Sequence, residues 1–241
     1  MVEAIDTHTH FVPRHIPVEP GRNPLWPSIE LKDTSAAVMV GGKVFRMIDS
    51  RSWDARRRLD DMALGDARLN DVYAAAEQAG LVLMIHPLHP LGLDRMGGRP
   101  ELAAVAAFPL ETAFAAVSLM THGVLERFPK LRVLLSHGGG AISWLLPRLN
   151  HAYAMGPPLQ SLFARDPTEI ARSFYYDTIL YDGPALQYLA DKVGNDRLVV
   201  GSDYPFTIKQ DKPAQFAEQA LSVGREALCA NARLLFGLDQ G

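Results

Sequence analysis

The chain has 241 residues, 48% of them hydrophobic and 21% charged, with a formal net charge of -3. That balance describes one globular domain with a sizeable core, and the interspersed charge offers no basic stripe for phosphates, so nucleic acid is not an expected partner. The single cysteine, Cys229, allows no internal disulfide, and neither a basic-then-apolar leader nor a run of membrane-spanning length stands out, so the expectation is a cytoplasmic protein with no membrane partner.

In chain order, Ala4-Ile5-Asp6 is a first strand candidate, leading into Thr7-His8-Thr9-His10. Residues 11–29 carry Pro13, Pro17, Pro20, Pro24 and Pro27, too many for a strand ladder, and predict a long loop. Ala37–Val40 and Lys43–Ile48 flank Gly41-Gly42 and read as a β-hairpin. Helical periodicity fits 68–80, stopped by Gly80, and 112–128, closed by Pro129. Further helices are expected over 141–153, 184–193 and 213–236, with Cys229 buried in the last. Between them lie the apolar strand candidates 81–85, 131–135, 174–181 and 197–200. Continuous Val/Ile/Leu runs alternating with helices predict a parallel sheet in an α/β fold, as a barrel or an open sheet.

The chemistry sits at the strand ends. The first strand runs into His8 and His10, 81–85 into His86, 131–135 into Ser136-His137, and 197–200 into Gly201-Ser202-Asp203. In parallel α/β folds the carboxyl edge of the sheet is where sites are built. His8 and His10, two apart on an extended segment, point to the same side and can chelate one ion. Imidazole suits zinc and other first-row divalent ions, and His86 and Asp203 would complete the shell. Each piece also has a plainer reading: His8 and His10 as a chance pair, His86 as a hydrogen-bonded core histidine, His137 as a bystander before Gly138-Gly139-Gly140, and Asp203 as a turn residue. Four such coincidences at one edge are harder to accept than one metal site.

Taken together, Ile5-Asp-Thr-His-Thr-His10, Ile85-His-Pro87, Leu135-Ser-His-Gly-Gly-Gly140 and Gly201-Ser-Asp-Tyr-Pro-Phe206 resemble the amidohydrolase-related family typified by 2-amino-3-carboxymuconate-6-semialdehyde decarboxylase. Lys43-Val-Phe-Arg46, Ser52-Trp53-Asp54, Phe128-Pro-Lys-Leu131 and Phe174-Tyr-Tyr-Asp177 share the likeness. The resemblance implies a (β/α)8 barrel of TIM type around one Zn2+ or another divalent ion. Under it His8, His10 and His86 are the histidine ligands, Asp203 is a ligand that also handles a proton, and His137 polarises a metal-bound water and transfers a proton. The implied reaction is decarboxylation of a small unsaturated or aromatic carboxylic acid by a metal-dependent lyase. Hydrolysis of a lactone, ester or amide and a non-catalytic relative are the alternatives. Arg51 is the candidate for the substrate carboxylate, two residues from the family's position; Trp53, Phe206 and His89 are candidates for lining the pocket.

The whole of 1–241 then reads as one catalytic domain, with 11–52 as a loop and hairpin insertion over the active-site face. The likeness is interrupted near residues 62–66, where a run of strands and helices found in the family is missing. Five recognisable barrel strands stand where closure needs eight, so an incomplete barrel and a homo-oligomer that covers the open edges are expected.

Overall fold

A computed structural model describes residues 28–32, 35–49, 64–87, 90 and 92–238. They fall in two compact units, the strands within 28–49 belonging to one and everything from Leu64 onward to the other.

The smaller unit holds an antiparallel sheet of β1 (Ser28–Lys32), β2 (Ser35–Val40) and β3 (Lys43–Asp49) in that order. The β2–β3 hairpin is the one read from the glycine pair, both glycines taking positive φ, and its register slips between Val38 and Met39. The addition is β1. Ser28 and Ile29, expected in the proline-rich loop, begin a strand that pairs Ile29 with Val38, because the last proline, Pro27, precedes it.

The larger unit is a parallel sheet in the order β4 (Val82–Ile85), β5 (Arg132–Leu135), β6 (Tyr175–Asp177), β7 (Leu198–Val199). Four of the five predicted barrel strands are therefore present and adjacent; the fifth, at Ala4–Asp6, lies outside the described residues. Helices connect them: α1 (Asn70–Gln78) before β4, α2 (Phe108–Thr121) and α3 (Val124–Arg127) before β5, α4 (Ile142–Ala154) and α5 (Pro167–Ala171) before β6, and α6 (Gly183–Val193) before β7. Two more, α7 (Pro213–Leu221) and α8 (Arg225–Phe236), follow.

Alternation along β5, β6 and β7 buries both faces, whereas β4 is only partly covered. Val133, Leu135, Tyr176 and Leu198 face the main core with Leu119, Ile142, Leu146, Leu186 and Leu189, while Leu134, Tyr175 and Val199 pack with Leu235 in a small second cluster. This is the layering of a β/α barrel, with strand–helix repeats over part of its circumference.

Several boundaries moved. The helix read over 112–128 begins at Phe108, extends backward through a π turn at Ala103–Ala107, and breaks at Gly123, whose φ of 61° starts a new turn. By length and composition Ala103–Thr121 could cross a membrane, which the sequence reading did not register; Ala113, Ala116, Leu119 and Met120 are nevertheless buried in the core. The helix read over 213–236 is two, interrupted at Ser222 in the left-handed conformation. Cys229 is exposed, not buried, because Leu228 and Leu235 mark the buried stripe of α8 and position 229 turns away from it.

Candidate metal centre

The carboxyl ends of β4, β5 and β7 carry the three groups that converge. His86 follows Ile85 directly; its Nδ1 lies 2.9 Å from the Pro87 carbonyl, and since a carbonyl can only accept, that nitrogen is the donor. Nε2 is thereby left with a lone pair for an ion. His137 opens the turn after β5 with φ 54°, and Gly138, Gly139 and Gly140 continue at 59°, 74° and 62°. Asp203 lies in the loop after β7 at φ 61°. Two non-glycine residues held in the left-handed region at one sheet edge are the kind of strain that functional sites retain.

One ligand atom from each of His86, His137 and Asp203 lies within 4.8 Å of the others. Two imidazoles and a carboxylate at this spacing fit a first-row divalent ion. The His86 and His137 rings stand 5.0 Å apart, and Phe108 stacks on His137 at 6.5 Å with 7° between the planes. Burial is the main cause holding His137 below the usual histidine value; the neighbouring His86 adds to it and Asp203 opposes it. A neutral imidazole can accept a proton or bind a metal.

Asp177, at the end of β6, holds the turn from beneath. Its carboxylate accepts the N–H of His137 at 2.9 Å, of Gly138 at 2.8 Å and of Ile179 at 3.1 Å. Burial pushes this carboxyl up to about 6 against the pull of those three donors. The turn also needs its glycines: a Cβ at Gly140 would stand 1.7 Å from the Pro109 carbonyl oxygen, and one at Gly138 would meet Leu180. Thr112 Oγ1 lies 3.2 Å from Ser136 Oγ, which lies 3.3 Å from His137 Nδ1.

The structure thus joins His86, His137 and Asp203 from the sequence-derived set, with one ligand atom of His137 within 4.8 Å of those of the other two. Phe206 is 62% exposed in the loop after Asp203. His8, His10, Arg51, Trp53 and His89 lie outside the described residues. Sequence reasoning gave no site role to Asp177, Ser136, Thr112 or Phe108. Asp177 and Ser136 were inside motifs quoted for their likeness, whereas Phe108 and Thr112 stand at i and i+4 on α2, where nothing local marks them.

The amidohydrolase family signature matches residues 49–238, most of the chain. The chain belongs to the amidohydrolase family. It is 31% identical over 183 residues to a 2-amino-3-carboxymuconate-6-semialdehyde decarboxylase of Dictyostelium discoideum, covering 73% of this chain and 50% of that one. A 5-carboxyvanillate decarboxylase of Sphingomonas paucimobilis is similar in structure, with a TM-score of 0.63 at 28% identity over 74% of this chain and 56% of that one. So is a 2,6-dihydroxybenzoate decarboxylase complexed with 2,6-dihydroxybenzoate, at TM-score 0.63 and 25% identity over 74% and 57%. The chain spans about half the length of these relatives. Its fold is that of this family's α/β barrel, of TIM type and incomplete.

Proposed function

We propose that this amidohydrolase is a divalent-metal-dependent decarboxylase of a small unsaturated or aromatic carboxylic acid, with zinc as its ion. The supporting observation is the convergence of His86, His137 and Asp203 within 4.8 Å at the carboxyl edge of the parallel sheet. It occurs in a chain whose relatives are, by name, decarboxylases of such acids. In this reading His86 and Asp203 hold the ion with His8 and His10, the latter pair assigned from their two-residue spacing.

The ion, when bound, supplies Lewis acidity and a lowered pKa for a bound water. The remaining work belongs to the chain. Arg51 pairs its planar guanidinium with the substrate carboxylate, and Trp53, His89 and Phe206 line the acid's unsaturated frame. The bond from the ring or chain carbon to the carboxylate breaks, carbon dioxide leaves, and the electron pair stays on that carbon. His137 takes a proton from water in the site onto its free ring nitrogen and passes it to this carbon, with Asp203 taking part in the return of a proton to the site. A cytoplasmic location and self-association into a homo-oligomer belong to the same proposal.

The test is the metal itself. Purified protein should carry close to one equivalent of zinc, and changing His8 and His10 together to Ala should abolish it. His137→Ala should keep the zinc while turnover falls about 100-fold, in the range of an acid–base contribution. Full zinc retention in the double variant would remove the ligand assignment, and zinc loss in His137→Ala would make His137 a ligand.

A further inference from the structure

We propose that Thr112 and Ser136 are positioning residues that set the tautomer of His137, through a one-way relay of hydroxyl protons ending on the Phe108 carbonyl. The direction follows from counting protons. Thr112 Oγ1 lies 3.1 Å from the Phe108 carbonyl oxygen, which can only accept, so the single hydroxyl proton of Thr112 is committed there. The Thr112–Ser136 bond at 3.2 Å must then be donated by Ser136. With its proton used, Ser136 can only accept from His137 Nδ1 at 3.3 Å. Nδ1 therefore carries the proton of the neutral imidazole, and the Nε2 lone pair is free for the site.

The surroundings keep the relay dry and single-valued. Thr112, Ser136 and His137 are all buried, at 0%, 1% and 7% exposure. At this depth an unmade bond is costly, and among the described residues the hydroxyls have the partners named. His86 reaches the same tautomer by a shorter route, through the Pro87 carbonyl. Both imidazoles thus keep Nε2 unprotonated, a nitrogen able to bind a metal or accept a proton.

This inference rests on the proposed role of His137 for its consequence in turnover, while its geometry is tested separately. Nitrogen-15 spectra of the full chain, zinc-loaded and after chelator treatment, report which ring nitrogen of each histidine is protonated, and His137→Gln assigns the signal. We expect His137 protonated on Nδ1 in both forms. Thr112→Val keeps the shape and removes the acceptor for Ser136, whose proton is then free to turn to Nδ1 and move the imidazole proton to Nε2. Ser136→Ala merely removes the partner. Thr112→Val should therefore switch the tautomer and lower kcat about 10-fold or more with KM little changed, whereas Ser136→Ala should be milder and Thr112→Ser should restore the wild-type state. His137 protonated on Nε2 in the wild-type chain, or an unchanged tautomer in folded Thr112→Val, would overturn the proposal. If no acid is turned over by the wild-type chain while the tautomers come out as expected, the functional reading fails and the relay stands.

Discussion

The backbone N–H of His137 donates to Asp177 Oδ2 at 2.9 Å, so the end of β6 fixes the conformation of the residue after β5. The same carboxylate takes the N–H of Gly138 and of Ile179. Asp177→Ala strands three buried donors. Since a buried donor left unsatisfied costs about 1–3 kcal/mol, the variant should lose about 3 kcal/mol or more, read by denaturant unfolding. Near wild-type stability would mean that the turn holds itself without the carboxylate.

Gly140 offers a contrast between two kinds of glycine. Gly140→Ala meets both a positive φ of 62° and the Pro109 carbonyl at 1.7 Å, while Gly156→Ala, at φ 80°, meets nothing within 4 Å. Gly156→Ala should cost about 1 kcal/mol from backbone strain alone. Gly140→Ala should cost several times more, because helix α2 and the turn must separate. Equal melting temperatures for the two variants would show that the close approach carries no weight.

How much of this was legible follows from what each signal measures. The continuous runs at 81–85 and 131–135 read correctly as strands, because a short apolar run bounded by turn residues is too short for a helix, whether it ends up half-buried, as the first does, or buried on both faces, as the second does. The run 174–181 shortened to Tyr175–Asp177, where the strand ends on a residue whose side chain caps the His137 turn, a demand set by a residue 40 positions away. The helix breaks at Gly123 and Ser222 were missed for a like reason: apolar periodicity continued through them while the backbone turned left-handed. Site residues at strand ends, His86, His137 and Asp203, were visible because barrel topology fixes where strand ends meet. Thr112 was not, because its role depends on which helix face lies against Ser136.

Arg51, proposed above as the partner of the substrate carboxylate, has a distinct kinetic signature. Arg51→Lys keeps the charge and loses the planar fork, so the KM for acid substrates should rise about 10-fold while neutral esters and lactones are unaffected. Unchanged KM for acids would remove Arg51 from the site.

Release of carbon dioxide from a panel of hydroxybenzoic and unsaturated acids, followed in zinc-loaded and chelator-treated protein, bears most directly on metal-dependent decarboxylation. At least one acid should lose carbon dioxide with the loaded protein, lose that activity on chelation, and regain it when zinc is restored. Carbon dioxide release that survives complete chelation, or turnover of lactones with no acid decarboxylated, would contradict the account.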